Sequence, residues 1–216
     1  MSTNGVYRQA RLIGEVIESS TTEVLAQACQ LDAAPAFGSL VRVSGGDGGL
    51  DTFAVVAQVQ TAGIDPGARA VMRGHGEVRD DLIYRENPDL PLVLRTTFRC
   101  AVVGFQAGAV VYQLLPPSPP RLHYSVCAAS AEEVRRFTDG QNGLDYLRTL
   151  LSTPEVAADE MVAANIRLTG QLRAEPDAFI HLAGRELADL LRADYSRLSA
   201  ILRRCVIPSP SARGPG

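Results

Sequence analysis

One short apolar run decides the fold class of this chain: Asp51-Thr52-Phe53-Ala54-Val55-Val56-Ala57-Gln58-Val59. The run is too short for a typical helix and is rich in β-branched residues, so it predicts a buried strand. The glycine-rich loop from Ser44 to Gly49 leads into it and is interpreted as a hairpin loop. Towards the N-terminus, turn residues separate three further runs of strand length, at residues 11–17, 23–28 and 38–43. Four strands by residue 60 favour closure of the sheet into a small barrel.

Two more runs continue the predicted sheet towards the C-terminus, at residues 97–104 and 110–114. Glycines and prolines interrupt residues 61–92, which we expect to form a long excursion with a short strand at 70–72. The segment from Pro116 to Pro120 then contains four prolines in five residues. Since proline cannot donate to a β ladder or continue a helix, this segment is expected to end the sheet. The first predicted domain is therefore a β-barrel over residues 1–120.

Residues 121–207 have the pattern of a helical domain. Ser130 and Glu133 have the spacing of a capping box, which predicts a short helix through Phe137. A second short helix is expected over residues 144–151. Thr153, followed by proline, has the pattern of an N-cap and predicts the start of a long helix. The fold class is therefore α+β, with the sheet first and the helices after it.

The two longest predicted helices form an antiparallel hairpin over about residues 155–205. The first has apolar residues at every third or fourth position: Ala157, Met161, Ala164, Leu168 and Leu172. The second runs from about Asp177 to about Cys205, which is roughly 40 Å at 1.5 Å per residue. Its apolar stripe comprises Ile180, Ala183, Leu187, Leu190, Leu191, Leu198, Ile201 and Leu202. Such a stripe needs a partner, for which the preceding helix is the nearest candidate. Residues 208–216 are expected to be a disordered tail.

Asp194 breaks the pattern of the second long helix. A helical projection places it within the apolar stripe, where an unpaired carboxylate is costly. It is therefore expected to pair with Arg197 or with an arginine of the facing helix or of another chain, unless it lies at an exposed edge of the stripe. A pair between chains would make this stripe an interface, with these candidate residues: Leu187, Leu191, Asp194, Arg197 and Leu198.

The N-terminal pattern resembles the HAS barrel, the small β-barrel that opens the α and β subunits of ATP synthase and HerA-type DNA translocases. The matching elements occur in order: Gly14-x-Val16, Thr22-Glu23-Val24, Pro35, Gly38-x-x-Val41-x-Val43 and Phe53 to Val59. The proline-rich exit from Leu115 to Pro120 is similar too. The resemblance covers roughly residues 8–122.

This resemblance implies a role in assembly, because the barrels of that family lie side by side and hold a ring of ATPase domains together. The chain departs from the family after the proline exit. No Gly-x-x-x-x-Gly-Lys-Ser/Thr motif follows, and a helical pattern stands where a nucleotide-binding domain would begin. The expected partner is therefore either a second copy of the chain or a separate ATPase or translocase subunit.

Composition excludes several kinds of chemistry. The 216 residues include 21 basic residues, all of them arginine, and 24 acidic residues, which gives a net charge of −3. Without lysine the chain supplies neither a Schiff-base amine nor the lysine of a P-loop. Neither half is basic, so nucleic acid is a possible but disfavoured partner. The sequence has no pattern of a signal peptide or a membrane span, and we expect a cytoplasmic protein without membrane insertion.

Cysteines and histidines give no strong pattern for a site. The four cysteines are scattered singly and are interpreted as buried thiols: Cys29, Cys100, Cys127 and Cys205. His75 lies near Asp80 and Asp81, but His123 and His181 are far from it in sequence. No catalytic, cofactor-binding or metal-binding residue is predicted.

Three functions remain as hypotheses. The first is a non-enzymatic assembly or adaptor protein that uses the barrel and the helical hairpin to bind copies of itself or an ATPase partner. The second is a barrel protein that binds single-stranded nucleic acid. The third and least favoured is a small metal-dependent enzyme around His75, Asp80 and Asp81.

Overall fold

The structure is a computed structural model that describes residues 11–65, 70–140, 143–154 and 157–206. In these ranges it has seven strands and seven helices. The strands are β1 (Leu12–Ser19), β2 (Glu23–Ala28), β3 (Leu40–Val43), β4 (Asp51–Gly63), β5 (Leu94–Ala107), β6 (Val110–Tyr112) and β7 (Ser125–Ala128). The helices are α1 (Asp81–Glu86), α2 (Leu90–Val93), α3 (Ala131–Thr138), α4 (Tyr146–Leu151), α5 (Ala158–Gln171), α6 (Pro176–Leu190) and α7 (Tyr195–Cys205).

All strand pairings are antiparallel, and the sheet order is β2-β1-β7-β3-β4-β5-β6. In addition, β2 pairs with β5, from Glu23 opposite Ala101 to Gln27 opposite Thr97. The prediction of a fold with both a sheet and helices is confirmed, and the sheet is antiparallel with seven strands in the described ranges. Closure of that sheet into a barrel stays a prediction.

The sheet continues past the boundary predicted at residue 120. β7 lies between β1 and β3, although it follows the proline-rich segment in sequence. The prolines carry the chain along the end of β1, where the Ser19 hydroxyl donates to the Pro120 carbonyl at 2.7 Å and the Val16 N–H donates to the Tyr124 carbonyl at 3.0 Å. The proline segment is therefore a connection between strands and does not end the sheet.

Both boundaries of the excursion differ from the predicted residues 61 and 92. β4 extends to Gly63 and β5 begins at Leu94, so the excursion proper spans residues 64–93. The predicted strand at 70–72 is wrong, because these residues join no ladder. Instead, the short helices α1 and α2 complete the connection. We use "excursion" below for residues 64–93.

The two faces of the sheet bury different sets of side chains. Along β4, Phe53 and Val55 face a core shared with the helices, whereas Ala54 and Val56 face a second core. This alternation follows from the two-residue period of a strand. The buried members of the second core come only from β1–β5 and β7: Ile13, Val16, Val24, Ala26, Ala28, Val41, Val43, Ala54, Val56, Phe98, Cys100, Val102 and Val126.

A layer formed by α3 to α7 packs on the sheet, and we call it the helical layer. Its first helix begins at Ser130 with the predicted capping box, which is confirmed. Glu133 accepts the Ser130 N–H through one carboxylate oxygen and pairs with Arg42 of β3 through the other, at 2.7 Å for both contacts. The capping residue of α3 therefore also binds this helix to the sheet.

The predicted pair of long helices is wrong in two places. α5 begins at Ala158 and not at Thr153, and its N-cap is Ala157. The second long helix is divided into α6 and α7 by a turn over residues 191–194. α5 contacts both of them, so the two-helix hairpin is not confirmed. The tail predicted at 208–216 lies outside the described residues.

A buried polar network joins the helical layer to the sheet. The Tyr146 hydroxyl donates to Asn165 at 2.8 Å, and the Asn165 amide donates to the Gly38 carbonyl at 2.9 Å. Gly38 has a φ of +84°, and a Cβ there would lie 2.5 Å from the Cβ of Ala164. Burial raises the pKa of the Tyr146 phenol. Since buried polar groups must be paired, these bonds define where α5 lies on the sheet.

Candidate interaction surface

The leucines of the predicted interface lie inside the chain's own core. Leu187, Leu191 and Leu198 all belong to the cluster between the sheet and the helical layer. Their apolar stripe packs against α5, which is the partner expected from the sequence. Leu187 is fully buried, whereas Leu191 and Leu198 are each 9% exposed, and Leu198 also lines an open cavity beside Tyr195.

Asp194 and Arg197 have different roles from the predicted ones. Asp194 is the N-cap of α7, and its carboxylate accepts the Arg197 backbone N–H and the Ser196 hydroxyl, both at 2.9 Å. These two hydrogen bonds lower the pKa of Asp194, and the bond from the Arg197 N–H has the larger effect. The Arg197 guanidinium pairs with Asp159 of α5 at 2.8 Å. Of the two alternatives for Asp194, exposure is the one observed, although Asp194 stands at a helix start and not at the edge of a continuous stripe.

The residues of the enzyme hypothesis lie exposed on the excursion. His75 and Asp80 both have positive φ angles, of 45° and 52°, and Asp81 is the first residue of α1. His123 lies elsewhere, 2.6 Å from Glu15 of β1. Within the described ranges, no group of three His, Cys, Asp or Glu side chains is arranged to hold a metal ion. The structure therefore does not bring these histidines together.

Three of the four cysteines are buried as predicted, and Cys29 is the exception. Cys29 follows the last residue of β2 and is exposed. Burial raises the pKa of the Cys205 thiol to about 11 and also raises that of Cys100. The two thiols are thus held in their protonated form at neutral pH.

The excursion places several strongly exposed apolar side chains beside a cavity. Val71 is 74% exposed and Leu92 is 77% exposed, and Ile64 and Val93 are exposed as well. These four residues line an open cavity of about 400 Å³ at the end of β4 and β5. We call Ile64, Val71, Leu92 and Val93 the excursion face. Contiguous exposed apolar groups of this kind mark surfaces that bind other molecules.

The end of the β4–β5 ladder positions this face. Gly63 pairs with Leu94, and the Ile64 N–H donates to the Val93 carbonyl at 2.9 Å, so the ladder continues one step past both strands. Arg73 also lines the cavity and pairs with Asp89 at 3.0 Å, beside the start of α2. The excursion face therefore begins on a rigid ribbon.

A second set of contacts ties α1 to the sheet. Asp32, in the loop after β2, accepts the Tyr84 hydroxyl at 3.1 Å and the Thr61 hydroxyl at 2.9 Å. The Asp32 N–H donates to the Thr96 hydroxyl at 2.8 Å. The hydrogen bond and the negative charge of Asp32 raise the pKa of the Tyr84 phenol. One aspartate thus holds β4, β5 and α1 together at the edge of the excursion.

Sequence reasoning missed this surface, although it identified the excursion. A partial signal was present, because Leu92 and Val93 are apolar residues in a stretch of the excursion for which no strand or helix was predicted. Such residues have no predicted face to bury. The contact between Asp32 and Tyr84 spans 52 positions and has no local pattern.

Several arginines of the helical layer pair with carboxylates. Arg197 pairs with Asp159, Arg204 with Glu160, and Arg192 with Asp189. Such pairs agree with the interpretation of a solvated face rather than a groove for phosphates. Binding of single-stranded nucleic acid stays a prediction.

Comparison with known protein families finds none that matches this chain, and comparison with curated proteins finds no match either. Among the helices in the described ranges, none combines the length and the apolar character that crossing a bilayer requires.

Proposed function

We propose that the chain is a non-enzymatic assembly or adaptor protein whose excursion face binds another protein chain. The observation that carries this proposal is the cavity of about 400 Å³ bordered by the exposed side chains of Ile64, Val71, Leu92 and Val93. Burying an apolar side chain of that size stabilises a complex by about 1.5–3 kcal/mol before the costs of association.

The proposal includes a closed barrel of the HAS type. Support comes from β2, which pairs with β1 along one edge and with β5 along the other. Further support comes from the second core, to which six strands contribute side chains and no helix does. An enclosed core made only of strand residues is typical of a small barrel.

The proposed partner is a second copy of the chain or a separate ATPase or translocase subunit. The resemblance to the HAS barrel supports both, since that barrel serves assembly in its family. The chain has no lysine for a P-loop, so a motor in such an assembly would have to come from another subunit.

Light scattering over a range of concentrations tests the excursion face. We compare the wild type, the double variant Val71→Ser/Leu92→Ser, and a control with two exposed apolar residues changed elsewhere, Val110→Ser/Leu122→Ser. The wild type and the control are expected to exceed the monomer mass of 23.1 kDa, and the face variant is not.

If the wild type alone is a monomer, the same proteins are tested for binding to a purified candidate ATPase subunit. Loss of binding in the face variant, with binding retained in the control, supports the proposal. Equal assembly or equal binding by all three proteins contradicts it.

A further inference from the structure

The second half of β4 has an unpaired edge. β3 pairs with β4 only from Thr52 to Val55, and the last backbone contacts on that side join Val56 to Gly38 and Ser39. From Gln58 to Gly63, β4 pairs with β5 alone. Residues 58–61 are exposed, so this part of the strand projects from the sheet with one edge in solvent.

The register shows which backbone groups point away from β5. The Ile64 N–H donates to the Val93 carbonyl, so Ile64 and Val93 form a hydrogen-bonded pair. Along an antiparallel ladder, hydrogen-bonded pairs alternate with pairs that are not hydrogen-bonded. Ala62 and Gln60 therefore bond to β5, whereas Val59, Thr61 and Gly63 direct their N–H and C=O groups to the open edge. Across the part of the chain that the structure describes, no backbone bond satisfies these outward groups.

Two of the usual protections against strand pairing are missing from residues 58–63, and the nearest register shift of β4 lies before them, between Val56 and Gln58. Natural edge strands are guarded by charged residues, prolines or a covering segment. Residues 58–63 read Gln-Val-Gln-Thr-Ala-Gly, without charge and without proline. A regular bonded ribbon of this composition is a ready template for another strand.

We propose that a second copy of the chain adds its own β4 to this edge, antiparallel about a two-fold axis at Thr61. This inference rests on the proposed function and specifies one partner and one contact. In the register that uses all three outward residues, Thr61 faces its counterpart and Val59 faces Gly63 of the other copy. Each such pair exchanges two backbone hydrogen bonds.

Two observations favour a second copy over a different chain. The edge is self-complementary, because every outward residue offers one donor and one acceptor, and residues 58–63, which would lie opposite each other, carry no charge. The edge also leads directly into the excursion face, since Gly63 and Ile64 line its cavity. The partner strand would thus end beside the exposed apolar residues and cover part of them.

Val59→Pro is the most direct variant. Proline removes an outward N–H and places its ring in the path of the partner strand, but it leaves the bonds to β5 intact. Val59→Thr is the matched control, since it keeps the N–H and the β-branched shape. The wild type and Val59→Thr are expected to have twice the mass of 23.1 kDa at high concentration, and Val59→Pro is expected to be a monomer. Circular dichroism checks that Val59→Pro is folded.

Residue-resolved amide exchange on the wild type provides a test that needs no variant. Exchange at Val59, Thr61 and Gly63 should slow by about fivefold when the total chain concentration is about ten times the dissociation constant, because about one chain in five is then still a monomer. Exchange at Gln60 and Ala62 should be slow at every concentration, because β5 already protects them.

The outcomes separate this inference from the proposed function. The β4 contact is overturned if Val59→Pro still forms the dimer, or if Val59, Thr61 and Gly63 gain no more protection from exchange with concentration than Gln60 and Ala62 do. In either case the excursion face is still tested by its own variants. A wild type that stays monomeric overturns the second copy as partner. The proposed function then depends on binding to the ATPase subunit.

Discussion

The helical layer buries most of its apolar side chains, whereas the excursion leaves most of its own exposed. In α5, eight residues are buried, and Met161 to Ile166 are enclosed on all sides. In the excursion, α1 buries no residue and α2 buries only Leu90. Apolar burial in the helical layer therefore stabilises the fold, whereas the exposed residues of the excursion remain available to a partner. Binding surfaces are often found on such weakly packed connections held by a rigid scaffold.

Truncation of one leucine in each region should show this difference most strongly. Leu187 of α6 is fully buried, so Leu187→Ala is expected to lower the free energy of unfolding by about 2–5 kcal/mol. Leu92→Ala in the excursion should change it by less than about 0.5 kcal/mol. Urea denaturation followed by circular dichroism measures both. Equal losses would show that the excursion is packed as tightly as the helical layer.

Loss of a buried amide should have the next largest effect. Asn165→Ala leaves the Gly38 carbonyl and the Tyr146 hydroxyl without partners, at a cost of about 1–3 kcal/mol for each buried group. Asn87→Ala is the matched change in the excursion and is expected to cost less than about 0.5 kcal/mol. Denaturant titration of both variants gives the comparison. A small effect at Asn165 would mean that water replaces the network.

The N-cap carboxylates of α7 and α1 give a comparison based on how protein stability changes with pH. Because the folded pKa of Asp194 lies below its ordinary value, its charged form stabilises the fold above that value and this contribution declines as the pH falls. The difference in stability between the wild type and Asp194→Ala should therefore shrink below about pH 4. Asp80→Ala is the control, since it removes a carboxylate at the start of α1 that makes no side-chain capping bond. Denaturation at several pH values measures both, and an unchanged Asp194 difference would contradict the capping role.

The smallest expected effect concerns the tie between α1 and the sheet. Tyr84→Phe should change global stability by less than about 0.5 kcal/mol but should speed amide exchange across α1. The raised pKa of Tyr84 means that its protonated form stabilises the fold and that this contribution is lost in alkali, as the pH rises through the folded value. Ultraviolet titration should show a late tyrosine that Asp32→Asn returns to its usual range. No shift in that variant would exclude the Asp32 contact.

Local patterns were enough to predict much of the fold. β2 lies over the predicted run of residues 23–28, and the capping box of α3 is found at Ser130 and Glu133. Both depend on contacts within a few residues. β7 was missed because a four-residue strand gains its stability from β1 and β3, more than 80 positions away.

The remaining errors have two physical causes. Helical periodicity placed Asp194 in a continuous stripe, but its side chain competes for a backbone N–H and begins a new helix. The excursion face was not predicted because exposure of Val71 and Leu92 is a property of the packed chain. Composition alone gives no sign of it.

Hydrogen exchange with mass spectrometry at low and high protein concentration tests most directly that the excursion side of the molecule binds the partner. The account predicts that protection rises with concentration in peptides covering residues 58–65, 70–73 and 90–94. Peptides of α5 to α7 should exchange slowly at both concentrations. Protection that appears instead on α6 or α7, or an assembled chain whose excursion peptides exchange as fast as in the monomer, would contradict it.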